Sequence, residues 1–123
     1  MDLPKRERTF HFDYTGESGF RYDGLVTIKC RLTVAEKYSL ELEKSRLLAD
    51  MSNPTDSLYG LSVALSTLRA KIVDAPNWWQ QKQGWGVEDE DALVQLYRKA
   101  EEECVKWKED LVKVAQENQE LGK

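Results

Sequence analysis

The chain has 123 residues, of which 41% are apolar and 33% charged, and its formal net charge is −4. This length and composition predict a single soluble, helix-rich domain over residues 1–123 and argue against a disordered chain. The acidic balance argues against a nucleic-acid backbone as the main partner, because that binding relies on concentrated Lys and Arg. The net negative charge lies in residues 88–123, where eleven acidic and six basic side chains give −5, so residues 1–87 carry about +1.

The first patterned segment alternates aromatic and polar residues and places Phe10, Phe12 and Tyr14 on one side. A period of two is typical of a half-buried strand. Turn residues at 15–19 lead to a second alternating run at 25–32, so we predict an antiparallel β-hairpin over residues 9–32, preceded by a flexible segment, 1–8. A lone hairpin is marginal in water, so its apolar face must pack on another part of the chain.

A Thr-Val-Ala-Glu capping box at residues 33–36 predicts a helix that runs to about residue 50. Within it Val34, Tyr38 and Leu42 recur every four residues and define an apolar face. The helical part of the domain therefore begins directly after the hairpin and is expected to extend over residues 33–115.

A second helix is predicted to begin after Asn53 or after Asp56, since both residues can cap a helix start. Its leucines and one isoleucine recur at spacings of three and four, which builds one continuous apolar stripe. The members of this stripe are Leu58, Leu61, Leu65, Leu68 and Ile72. Pro76 ends the helix near Asp74, because proline lacks the amide donor and disfavours helix at the preceding residue.

Residues 77–87 are predicted to form an irregular connector, and the last helix is expected to begin within the acidic run 88–91. The four carboxylates of that run favour the positive end of a helix. A 3-4 apolar repeat continues to about Ala115, a length of about 42 Å, so the distal half is expected to project or to find a partner. The polar residues 116–123 are expected to form a flexible end. The predicted class is α+β and mainly helical, with an N-terminal antiparallel β-hairpin packed on three helices, the last one long.

The sequence contains no motif that is typical of a catalytic or cofactor site. His11 is the only histidine, and Cys30 and Cys104 lie far apart without a metal-binding or redox motif. The acidic run 88–91 lacks the interior glycine and distal glutamate of a calcium-binding loop. We therefore predict a protein that is not an enzyme and needs no metal or cofactor. The two cysteines are interpreted as core residues of a protein in a reducing compartment, with a single disulfide as the alternative.

Tryptophan is unusually frequent, and the break at residues 74–79, Asp-Ala-Pro-Asn-Trp-Trp, is the most distinctive stretch of the chain. Large aromatic rings are common in cores and at contact surfaces. For the two tryptophans of this break, the competing interpretations are anchors of the connector on the core and a partner-binding patch. The candidate partner-binding residues are Trp78, Trp79, Trp85, Trp107 and Leu111.

The order of these elements resembles that of the tail assembly chaperones of long-tailed bacteriophages. The resemblance covers about residues 9–112 and rests on the strand pair, the Leu-Thr-Val-Ala-Glu helix entry at 32–36, the Ala-Pro-Asn-Trp-Trp break, the acidic helix start and the Leu-Tyr at 96–97. It implies a helper that coats the helical tape measure protein and recruits tail tube protein without staying in the virion. Many members also have a longer product made by ribosomal frameshifting, and the terminal Leu-Gly-Lys is compatible with one.

The alternative function is a structural or connector protein retained in the virion, with its hairpin or long helix built into a symmetric ring. An enzyme is a distant third. No apolar run follows the charged residues 1–8, and no stretch has the length of a membrane span, so we expect a location in the host cell cytoplasm. A homo-oligomer is compatible with this sequence.

Overall fold

The computed structural model describes residues 6–49, 56–82, 84 and 86–121 of the chain. It has an α+β fold, which confirms the predicted class. In chain order the elements are β1 (Glu7–Thr15), β2 (Arg21–Lys29), α1 (Val34–Ala49), α2 (Asp56–Lys71), β3 (Ile72–Asp74), α3 (Asn77–Gln80) and α4 (Glu90–Leu121). The antiparallel sheet packs on α2 and α4, and α1 packs on α2.

The predicted hairpin is present but is shifted towards the N-terminus, because its strands run from Glu7 to Lys29 rather than over residues 9–32. Residues 30–32, which the alternation placed in the second strand, lie beyond its end. β1 pairs with β2 from Glu7↔Lys29 to Thr15↔Arg21, so both strands begin earlier in the chain than the alternating runs indicated. Cross-strand hydrogen bonds extend a strand into residues whose own pattern is not strand-like. The hairpin packs one apolar face on the helices, as predicted, with Phe10, Phe12, Tyr22, Val26 and Ile28 in the core. Leu25 of β2 is 65% exposed.

The end of the second helix differs from the prediction. α2 stops at Lys71, and Ile72–Asp74 forms a third strand that pairs with β2 through Ile28↔Ile72 and Thr27↔Asp74. Two β-branched residues followed closely by Pro76 favour extended backbone, and the free edge of β2 supplies the hydrogen-bonding partner. Ile72 fits the 3-4 spacing of the helix, so the prediction included it in α2. Pairing with β2 instead places it in a strand.

The capping box at the start of α1 is confirmed. The Thr33 amide donates to Oε1 of Glu36 at 2.9 Å, and the Glu36 amide donates to Oγ1 of Thr33 at 3.1 Å. Glu36 also accepts hydrogen bonds from Lys29 and, at 2.5 Å, from Arg6. The hydrogen bond from Lys29 and those from Thr33 lower the pKa of Glu36 to about 2. This carboxylate thus ties the start of α1 to the end of the sheet that lies opposite the hairpin turn.

The long last helix begins at Glu90 and continues to Leu121, beyond the predicted end near Ala115. Its 32 residues span about 48 Å. The inward face follows the predicted 3-4 repeat, with Leu93, Leu96, Ala100, Cys104 and Trp107 all buried. From residue 112 to residue 117 the side chains are largely exposed, so this end of α4 extends past the core.

Candidate binding site at the aromatic corner

The break after α2 forms a corner that is held against the middle of β2. Pro76 lies over Gly24, where an added Cβ atom would come within 2.3 Å of the Pro76 Cγ atom. Gly24 also has a φ of +146°, which L side chains rarely adopt. The carbonyl of Pro76 accepts hydrogen bonds from the amides of Trp79 and Gln80, each at 3.0 Å, and these start the short helix α3.

The adjacent tryptophans of this corner point into different environments. Trp79 is 2% exposed and belongs to the core formed by the sheet, α2 and α4. Trp78 is half-buried, with ring centroids 5.9 Å from Phe12 and 5.3 Å from Tyr22. Its Nε1 atom donates a hydrogen bond to the Asp23 carbonyl at 3.2 Å, which fixes the orientation of the ring. One tryptophan therefore anchors the corner, and the other presents an oriented aromatic surface.

Trp78 lines a cleft of about 270 Å³ between the corner and the hairpin turn. Phe20 and Tyr22 form the other aromatic part of its lining, with their ring centroids 4.8 Å apart in an edge-to-face arrangement. Phe20 is 53% exposed although it is a large apolar residue. The remaining lining residues are polar or small: Gln81, Lys82, Gly86 and Glu88. A partner that binds in the cleft would therefore contact aromatic rings, the positive side chain of Lys82 and the negative side chain of Glu88.

Asp89 holds the hairpin turn and the first turn of α4 together. Its buried carboxylate accepts hydrogen bonds from the Ser18 amide at 2.8 Å, the Ser18 hydroxyl at 2.7 Å and the Tyr22 hydroxyl at 2.7 Å. The hydrogen bonds from Ser18 and Tyr22 lower the pKa of Asp89. Gly16 completes the fit, because a Cβ atom at that position would lie 2.4 Å from the Asp89 Cγ atom. The position of Tyr22 in the cleft therefore depends on Asp89.

A second tyrosine–carboxylate contact lies beside the first. The Tyr14 hydroxyl donates to Asp91 at 2.8 Å, and this hydrogen bond raises the pKa of Tyr14. The acidic run was predicted as a favourable helix start, and α4 does begin within it, at Glu90. The structure adds that two of its carboxylates bind the hairpin. Sequence reasoning missed this role because Ser18 and Asp89 are 71 positions apart and form no local motif.

The other candidate residues lie away from this cleft. Trp107 is 6% exposed and packs in the core, and Leu111 is partly buried against the same core. Trp85 lies outside the described residues. The structure therefore brings only Trp78, among the described candidates, to the lining of the cleft. Phe20 and Tyr22, which the sequence analysis did not select, join it there through the hairpin turn.

The two cysteines are free thiols buried in the core, as the core interpretation predicted. Burial and the neighbouring thiol of Cys104 raise the pKa of Cys30 to about 12, so this thiol stays protonated. Lys71 reaches to within 3.9 Å of the Cys104 sulfur and pairs with Glu101 at 3.0 Å. His11 is exposed, and its Nε2 atom lies 2.5 Å from Asp23.

Within the part of the chain that the structure describes, no group of three or more His, Cys, Asp or Glu side chains is arranged to hold a metal ion. None of the helices there is both long and apolar enough to cross a bilayer. Comparison with protein-family models, with curated proteins and with solved structures gave no significant match.

The Asp89 contact predicts a pH-dependent stability. Because the folded protein lowers the pKa of Asp89 below its ordinary value of 3.8, the contribution is present above that value and is lost as the pH falls through the folded pKa. Asp89→Asn should melt at a lower temperature than wild type at pH 7, and the gap should narrow below about pH 4. Melting followed by circular dichroism between pH 2.5 and 7 measures this gap. Glu102→Gln, an exposed change on α4, is the control, and a gap independent of pH would contradict the assignment.

The different environments of the two tryptophans predict unequal costs of truncation. Trp79→Ala should lower the free energy of unfolding by about 3 to 5 kcal/mol, because it empties a core position. Trp78→Ala should cost clearly less, since its ring is half-buried. Urea denaturation of both variants measures the difference. An equal loss, or a larger loss for Trp78→Ala, would show that the corner is not anchored by Trp79.

Proposed function

We propose that the protein is a non-catalytic phage tail assembly chaperone that acts in the host cell cytoplasm, binds the tape measure protein and helps to recruit tail tube protein. The observation that carries the proposal is the aromatic cleft, in which Trp78 and the exposed ring of Phe20 are oriented by contacts within the protein. The order of sequence elements that resembles this family supplies the identity of the partner.

The cleft suits an apolar helix as its ligand. A tape measure protein exposes helical apolar stripes until the tail tube encloses it, and such stripes bind grooves that receive side chains spaced by three and four residues. Preoriented aromatic rings supply contact area at low entropic cost, because few rotamers are lost on binding. The role assigned to the cleft is therefore to cover one or two apolar side chains of the partner helix.

Charge supports the same role. α4 carries much of the negative charge of the chain and extends past the core. Like charge on many bound copies opposes their association, which keeps a partly coated apolar filament soluble. This property suits a protein that must hold an aggregation-prone partner without precipitating with it.

Phe20→Ser should abolish binding of the tape measure protein while leaving the fold intact. Phe20 is 53% exposed, so its loss removes apolar contact area from the cleft and little from the core. The measurement is co-purification of the coexpressed tape measure protein of the same phage, with the melting temperature as the test of folding. Leu25→Ser is the matched control, because Leu25 is 65% exposed and does not line the cleft.

Three results distinguish the possibilities. Loss of the tape measure protein with Phe20→Ser but not with Leu25→Ser supports the cleft as the binding site. Equal binding by wild type and both variants would move the binding site away from the cleft. No binding by the wild-type chain would overturn the proposed function itself.

The alternative, a structural or connector protein of the virion, has one supporting observation. β1 is nine residues long and lies at the edge of the described sheet, where a neighbouring subunit can add a strand. Mass spectrometry of purified virions separates the two functions. The chaperone proposal predicts that the chain is absent from mature particles, and its presence in stoichiometric amounts would establish the structural role.

A further inference from the structure

The predicted apolar face of α1 is on the surface of the protein. Val34 is 85% exposed, Tyr38 66% and Leu42 53%, and α1 contains no buried residue. The side of α1 that meets α2 is the opposite one, marked by the partly buried Leu40 and by Glu43, which pairs with Arg69 at 2.8 Å. At 100° per residue the two sides lie roughly half a turn apart. α1 thus has one apolar side against the domain and another facing solvent.

The charged residues beside this face have opposite signs and share one edge. Lys37 and Glu41 are exposed, are separated by one helical turn and lie along the same border of the stripe. Glu41 also pairs with Lys44 of its own helix at 2.9 Å, and its exposed carboxylate can accept a second cation. In a parallel pair of α1 helices related by a twofold axis, this border would face the opposite border of the second helix, so Lys37 would lie beside the uncharged Ala35 and Ser39. In an antiparallel pair related by a twofold axis, Lys37 of each copy meets Glu41 of the other, which forms two symmetric ion pairs.

The register that forms those ion pairs also interdigitates the apolar residues. With the twofold axis level with Ser39, Leu42 of one copy lies midway between Val34 and Tyr38 of the other. Tyr38 then lies between Leu42 and Tyr38 of the second copy. Neighbouring residues of the stripe are four positions apart, so a side chain from the opposite helix fits midway between each two of them. Charge and shape therefore select the same antiparallel arrangement.

We propose that a second copy of this chain covers the exposed face of α1, giving an antiparallel, twofold-symmetric dimer. The α1 helix is 16 residues long, or about 24 Å, and three large apolar side chains per copy form a small interface. The dimer is consequently weak and depends on protein concentration. It does not rest on the proposed function and leaves the aromatic cleft free, since α1 starts at the end of β2 opposite the hairpin turn.

Charge reversal tests both the interface and its register. Sedimentation equilibrium of the full chain across a concentration series, at low salt, gives the dissociation constant of the dimer. Lys37→Glu and Glu41→Lys should each weaken the dimer about five- to tenfold, because each places like charges opposite one another twice. The double variant Lys37→Glu/Glu41→Lys should regain wild-type affinity. Lys113→Glu, an exposed reversal on α4, is the control and should change the dissociation constant little.

Removal of the apolar residues gives an independent test. Tyr38→Ser and Leu42→Ser should leave only monomer at concentrations where the wild type dimerises, with unchanged melting temperatures because both side chains are exposed. A wild-type chain that is monomeric up to millimolar concentration would overturn the proposal. So would a dimer that survives both serine variants, or a double charge reversal that binds no better than the single ones.

Discussion

The buried carboxylate of Asp89 is the contact on which the arrangement of the hairpin and the long helix depends. It accepts three hydrogen bonds from Ser18 and Tyr22, and the backbone at Gly16 approaches it too closely for any side chain at that position. A buried charge is costly unless its hydrogen-bonding capacity is used. Displacement of the turn would break these hydrogen bonds and leave a buried carboxylate without partners. This cost opposes sliding of the hairpin along α4.

The corner after α2 holds the opposite wall of the cleft by a different kind of contact. Trp79 packs in the core, and Pro76 approaches the β2 backbone over Gly24. Trp78 is then presented beside Tyr22, whose hydroxyl is bound by Asp89. Two segments that are distant in sequence thus meet at one tyrosine. The cleft has a defined shape because both of its walls are fixed to the same core.

The two exposed apolar surfaces lie at different ends of the domain. The aromatic cleft adjoins the hairpin turn, whereas α1 is tied to the other end of the sheet through Lys29 and Glu36. The proposed binding of a partner helix at the cleft and the proposed dimer through α1 would therefore not exclude one another. In the proposed function, such a pairing would place two clefts on one assembly and raise the effective concentration for a partner with repeated apolar stripes.

The sequence by itself determined the elements whose signals are local. The capping box at residues 33–36, the alternation of β1 and the 3-4 repeat of α4 each involve neighbours within a few positions, and each forms as predicted. The two tryptophans of the break were also recognised as either anchors or contact residues. Composition and spacing left that choice open. A tryptophan occupies the same position in an apolar pattern whether its ring packs in the core or is exposed to a partner.

Only the tertiary structure decided which surfaces are covered. Pairing with β2 made a strand of Ile72–Asp74, and packing buried Trp79 and Trp107 while leaving Tyr38 on the surface. The partners of Asp89 are also set at this level, since Ser18 in the hairpin turn and Tyr22 in β2 lie 71 and 67 residues away. Periodicity identifies the face of a helix or strand, but burial depends on which other segment packs there. That is determined by contacts between distant parts of the chain.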